Sequence, residues 1–150
     1  PKDRIVLGTI FRAGLPFHTG FLNIFDHAEN GFVSAYREYT DQEHHDVGIH
    51  VEYLATPSIY DKTLIIADPM LATGGSMGLS YKAFVTKGMP RLIHVACIIA
   101  TPQGIDHIRS IFPEDKTTVW CAAIDPGMNE YKYIVPGFGD AGDLCYGDKI

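Results

Sequence analysis

The 150-residue chain is 46% hydrophobic and 20% charged, ordinary globular usage and long enough for one domain with its own core. Eighteen acidic against 12 basic residues leave a net charge of -6, which argues against broad electrostatic binding to nucleic acid. No apolar run approaches the roughly 20 residues that span a bilayer, and the opening residues show neither the charged lead nor the cleavage site of a signal peptide, so the chain reads as cytoplasmic.

In chain order, RIVLGTI (4–10) is a buried strand by its β-branched content, and LPFHTGFLNIFDHA (15–28) has helix-like apolar spacing at Leu15, Leu22 and Phe25. A second strand follows in GFVSAYREY. The next stretch, TDQEHHDVGIHVEYLATPSIYDK, breaks the rhythm; its alternating run VGIHVEYL reads as an antiparallel hairpin or a mobile lid. The pattern resumes with the strand TLIIAD (63–68), a helix over about 76–87, the strand LIHVACIIA (92–100), a helix over about 102–112 and the strand TTVWCAAI (117–124). Alternation of strand and helix means crossover connections on a parallel sheet. The fold class is therefore α/β, a mainly parallel sheet flanked by helices with an antiparallel hairpin excursion. With no repeat or linker, residues 1–150 read as one domain. Cys97, Cys121 and Cys145 show no CxxC spacing; the first two lie in apolar runs and read as buried thiols, and Trp120 reads as core.

The stretch LIIADPMLATGGSMG (64–78) is the main site candidate. It runs from an apolar strand into one acid and then into a loop almost without side chains. Ligands of open α/β sheets bind outside the carboxyl ends of the strands, where Asp68 falls. Gly74 and Gly75 let backbone N–H groups converge on an anion, the helix beginning near Ser76 adds its positive end, and Thr73 and Ser76 add hydroxyl donors. A triphosphate-binding P-loop would need GxxxxGK[ST], and no lysine lies between Lys62 and Lys82, so the loop suits a monophosphate. Asp68 is placed to accept from a sugar hydroxyl or to position a metal. The competing reading is a helix-capping turn with incidental glycines.

A second glycine pattern, GFGDAG (137–142), fits GxGxxG, but only eight residues follow it and they do not suffice for the helix and second strand of a dinucleotide fold. It reads instead as part of a C-terminal loop, YIVPGFGDAGD, whose proline and glycines fix an irregular backbone able to read the edge of a flat heterocycle. His44 and His45 with Glu43 and Asp46 read as solvated polar residues rather than a metal site, and His50 and Glu52 as one half of a cross-strand polar pairing.

Four stretches, FRAGLPF, SAYR, DPMLATGGS and YIVPGFGDAGD, together resemble the uracil phosphoribosyltransferase family, a branch of the type I phosphoribosyltransferases, over nearly the whole chain. The resemblance implies the type I fold with a partial hood, and an enzyme of pyrimidine salvage that joins uracil to phosphoribosyl pyrophosphate (PRPP) to give UMP and pyrophosphate. It implies catalytic roles for Arg12, Arg37, Asp68 and Asp140. PRPP would be bound by Arg12, Arg37, the loop Asp68, Pro69, Met70, Leu71, Ala72, Thr73, Gly74, Gly75 and Ser76, and Asp140; uracil would be bound by Ile134, Gly139, Asp140 and Ala141. Mg²⁺ would enter with PRPP rather than in a protein cage. GTP is implied as a candidate allosteric activator, and a homodimer or larger homo-oligomer as the assembly, with the HVEYL run as an arm across an interface. Pro69, where many type I members carry a second acid, agrees with the uracil branch; Thr9 stands where proline is expected. The family carries a segment ahead of the first strand that has no counterpart here, so these residues read as the C-terminal part of a longer chain. Two rival functions on the same fold are a regulator that reads RNA, which the acidic balance does not favour, and a noncatalytic ligand-binding module.

Overall fold

The computed structural model describes residues 4–39 and 47–148, with only the backbone described at 35–39 and 47–51. Strand β1 (Ile5–Ile10) is central, pairing in parallel with β2 (Glu29–Tyr39) on one side and β4 (Thr63–Ala67) on the other. Beyond β2, β3 (Val47–Ala55) returns antiparallel, so the VGIHVEYL run is the hairpin partner of β2. Beyond β4 lies β6 (Leu92–Ala100), which also pairs in parallel with β7 (Thr117–Ile124) and with the two-residue β5 (Met70–Leu71). These seven strands form one sheet, parallel except for β3. A separate two-stranded sheet pairs β8 (Gly127–Met128) with β9 (Ile134–Val135).

Helices α2 (Gly75–Phe84) and α3 (Pro102–Ile111) cover one face of the sheet, over a core that includes Val6, Val33, Leu64, Ile66, Ile93 and Val95. Phe84, fully buried, sets the position of α2. A Cβ on Gly8 would sit 2.8 Å from the Phe84 ring and one on Gly31 would sit 3.1 Å from it, and these glycines are register partners across β1 and β2. The ring rests on a floor that two missing side chains create.

The opposite face is covered more sparingly. Helix α1 (Leu15–Leu22) lays Phe17, Phe21 and Leu22 over Leu7, Ile65 and Ala96. The helix ends six residues before the sequence pattern does, because Asn23 closes it and a turn carries the chain to Ala28. Phe25 still stacks on Phe21, so the apolar spacing is kept without the helical hydrogen bonds. The residues of α1 pack on β1, β4 and Ala96 of β6, and Trp120 on the neighbouring β7 is 59% exposed rather than in the core. Alternation puts Trp120 beside Ala96 on the α1 side, where its Nε1 donates to His94 Nδ1 at 3.2 Å. Cys97 faces the α2–α3 core and is buried, whereas Cys121 is only half-buried at the sheet edge. Thr9, at the expected proline position, is buried and hydrogen-bonds His18 Nδ1 at 2.6 Å, tying β1 to α1. Among the described residues no helix is long and apolar enough to cross a membrane.

The glycine floor gives a direct test. Gly8→Ala should destabilise the protein by about 1–3 kcal/mol, the range for overpacking a filled core. Gly20→Ala in α1, where a Cβ meets nothing within 4 Å, should be neutral or stabilising. Urea denaturation of both variants reads the difference.

Candidate functional site

Chain order reverses between β1 and β4, since β1 leads to β2 on one side and receives β4 on the other. Their carboxyl ends therefore open a crevice, the place where α/β sheets take ligands. From β1 comes the turn Phe11–Gly14, with a cis peptide between Phe11 and Arg12. Gly14 is needed there: a Cβ would lie 2.8 Å from both the Ile10 and the Ala67 carbonyl oxygens. From β4 comes Asp68, whose backbone stays on the edge of β6 through a 3.1 Å bond to the Ala96 carbonyl, followed by β5 and the glycine loop.

The glycine loop is braced from α3. Gly74, with φ of 77°, occupies the left-handed region that glycine tolerates and caps α2. Thr101, fully buried, donates its hydroxyl to the Ala72 carbonyl at 2.7 Å and accepts from Gly104 N–H at 2.9 Å, so one side chain caps α3 and holds the loop. A Cβ on Gly104 would meet the Leu71 and Ala72 carbonyls at 2.6 Å, which lets α3 come into contact with the loop.

The third wall comes from the β8–β9 hairpin. Asn129 Oδ1 accepts from the N–H groups of Tyr131 and Tyr133, both at 3.0 Å, and Gly137 N–H donates to Asp125 at 2.9 Å. The chain then passes a cis Val135–Pro136 bond and Gly139, whose φ is 81°, into α4 (Ala141–Tyr146). The GFGDAG stretch thus opens a six-residue helix capped by Asp140, which accepts from Asp143 N–H at 2.9 Å.

These segments enclose a cavity of about 260 Å³ that brings together Arg12, Asp68, Met70, Ala72, Ser76, Ile134, Gly139 and Asp140. Leu71, Thr73, Gly74 and Gly75 line an adjoining recess of about 70 Å³ that shares Asp68 and Ser76. Pro69 and Ala141 instead face a separate apolar groove with Phe17, Ile98, Phe138 and Leu144. Arg37 stands on β2 opposite Ile49, and its side chain, like His44 and His45, lies outside the described residues. Lys132 and Tyr133 also line the main cavity, and sequence reasoning passed over them. The one signal for Lys132 is its backbone, at φ of 67°, which is rare for a non-glycine residue and invisible in the sequence.

The electrostatics centre on Asp68. Enclosure by protein pushes its carboxyl up to about 7, the nearby Asp140 charge adds to this, and a 3.4 Å bond from Met70 N–H opposes it. Cys97, behind it in the core, is pushed up to about 12 by burial and by the charges of Cys121 and Asp68, which makes it a poor nucleophile. Among the described residues no three His, Cys, Asp or Glu side chains cluster as a metal cage. Asp68 and Asp140 fit the sparser demand of Mg²⁺, which takes one or two carboxylates and fills its shell with phosphate oxygens and water.

A family model for uracil phosphoribosyltransferase matches residues 1–148. The chain belongs to the uracil phosphoribosyltransferase family. It is 63% identical to the uracil phosphoribosyltransferase of Porphyromonas gingivalis over all 150 residues, covering 68% of that relative. It is 37% identical to the one from Thermococcus gammatolerans, with 99% of this chain and 65% of the relative aligned. Among solved structures, the AQ2163 protein of Aquifex aeolicus superposes with a TM-score of 0.83 at 30% identity, over 99% of this chain and 67% of that one. A hypoxanthine phosphoribosyltransferase of Staphylococcus aureus, at 15% identity and a TM-score of 0.60, covers 98% of this chain and 80% of its own and shares the fold.

Asp68 makes stability depend on pH. Its carboxyl is near 3.9 in an unfolded chain and at about 7 in the folded one, so the folded state holds the proton more tightly. The contribution is complete below about pH 4 and is lost as pH rises through about 7. Thermal melts of the ligand-free protein should fall, relative to Asp68→Asn, across that window; parallel curves would place the Asp68 charge in water.

Proposed function

We propose that this chain catalyses the family reaction, transfer of a ribose 5-phosphate from PRPP to uracil. What carries the reading is the convergence of three segments distant in sequence on one cavity: Arg12 after β1, the loop from Asp68 after β4 to Ser76 at the start of α2, and Ile134, Gly139 and Asp140 near the C-terminus. In this reading the N–H groups and hydroxyls of Ala72 to Ser76 hold the 5-phosphate, helped by the positive end of α2. Asp68 accepts from the ribose hydroxyls. The bond from the anomeric carbon to the pyrophosphate oxygen breaks as uracil N1 bonds to that carbon and loses its proton to water, and pyrophosphate leaves with the electron pair. Negative charge grows on the leaving group, and Arg12 and Arg37 oppose it; a guanidinium stays charged and offers two parallel donors. When bound with PRPP, Mg²⁺ supplies further charge neutralisation there, with Asp68 and Asp140 the residues that would hold it.

The base is read by backbone. Ile134, Gly139 and Asp140, which line the cavity, present N–H and C=O groups to the acceptor–donor–acceptor edge of uracil, and cytosine reverses two of those positions. A site built on such bonds rejects the mismatched analogue by about 10⁴-fold or more. The positive φ of Gly139 supports this assignment, because a side chain there strains the loop path although space is free. The same reading makes the chain a cytoplasmic homo-oligomer, and GTP a ligand to be added to its assay.

The test is UMP formation from uracil and PRPP with Mg²⁺, and cytosine in place of uracil should give almost no product. Arg37→Ala should lower kcat/KM for PRPP by about 2–4 kcal/mol of transition-state stabilisation without unfolding the protein. Binding of PRPP or RNA with no turnover would favour the noncatalytic alternatives.

A further inference from the structure

The residue that engages Arg12 most closely is one that sequence reasoning gave no role. The Arg12 guanidinium pairs through one terminal nitrogen with the Asp143 carboxylate, and its other terminal nitrogen donates to the Gly147 carbonyl at 2.6 Å. Asp143 on α4 and Gly147, the residue that closes it, lie one turn apart, joined by the Gly147 N–H to Asp143 carbonyl bond at 2.8 Å. Just before Asp143, Gly142 offers its bare Cα to the arginine stem, where a Cβ would stand 3.5 Å from Cγ and Nε. Asp143 is 30% and Arg12 27% exposed, so the pair is shielded from water on most sides.

We infer that Asp143 is a positioning residue that fixes Arg12 over the cavity, so that its remaining N–H donors face the pyrophosphate leaving group. The inference rests on the proposed reaction. A guanidinium carries five donors; the two α4 partners engage one on each terminal nitrogen and leave others for a ligand. A long side chain so held has already lost its rotamer freedom before substrate arrives, and orientation of this kind is what a leaving-group clamp needs. Asp143 also divides its labour cleanly. Its backbone N–H serves the Asp140 cap of α4, while its side chain serves Arg12. Replacing the side chain removes the second function and spares the first.

The test is a double-mutant cycle in the full chain, made of Arg12→Ala, Asp143→Ala and the double variant. With Arg12 present, Asp143→Ala should lower kcat and kcat/KM for PRPP by about 10- to 100-fold, the scale for a misplaced catalytic group. KM for uracil should move by less than about twofold, since the base-reading loop keeps its cap. In the Arg12→Ala background the same change should have almost no further effect on PRPP kinetics. If the alanine variant does not fold, Asp143→Asn, similar in shape and uncharged, carries the same cycle. A loss of equal size with and without Arg12, or one shared by both substrates, would show that Asp143 only docks α4 and would overturn the inference. Tighter PRPP binding at unchanged turnover would overturn it too, by showing that Asp143 restrains Arg12. Absence of UMP from the unaltered protein would overturn the proposed reaction itself, and the inference with it; UMP formation indifferent to Asp143 would overturn the inference alone.

Discussion

The packing of Phe84 on Gly8 and Gly31 is the contact on which the site's geometry depends. The ring closes the C-terminal end of α2 against the two central strands, and the N-terminal end of the same helix carries the glycine loop. A helix held at one end on the sheet has its other end placed as well, because the element is rigid along its length. Any side chain on that glycine floor would lift α2 and move Ser76 and its neighbours away from Asp68. The anion recess is thus set by apolar packing some three turns away, and its polar groups need only local adjustment.

That adjustment comes from Thr101 and Gly104. The threonine hydroxyl uses both its hydrogen-bonding capacities, one on the loop carbonyl of Ala72 and one on the N-terminus of α3, so that the loop and the helix share a fixed point. Gly104 permits the contact by having no side chain. The recess therefore meets a general requirement for anion sites: donors that are already oriented before the ligand arrives lose little on binding.

Much of this architecture was legible in the sequence because it is written in local patterns. The runs at 92–100 and 117–124 coincide with β6 and β7, and VGIHVEYL pairs antiparallel with β2. Asp68 at the end of β4 and the glycines at the start of α2 were visible for the same reason. What was hidden depends on contacts distant in sequence. Trp120 has the neighbours of a core residue in its strand, and only the position of that strand at the edge of the sheet, beyond the strands that α1 covers, leaves it exposed. The helix α4 was masked by glycines that suggest a loop, although Asp140 in their midst is a good N-cap. The pairing of Arg12 with Asp143 spans 131 residues, and no spacing rule connects them.

The hidden contacts and the buried charge at Asp68 are related. Asp68 and Asp140 face one cavity, and burial together with the Asp140 charge disfavours ionisation of Asp68, an arrangement that costs the ligand-free protein stability near neutral pH. The cavity tolerates it because the surrounding frame holds the groups by other means: Asp140 is fixed as the cap of α4, and Asp68 by its backbone bond to the edge of β6. Two acids that would otherwise move apart are kept together by bonds made outside the cavity. Relaxing either anchor would relieve the repulsion and lose the site, so stability and function pull in opposite directions at this pair of carboxylates.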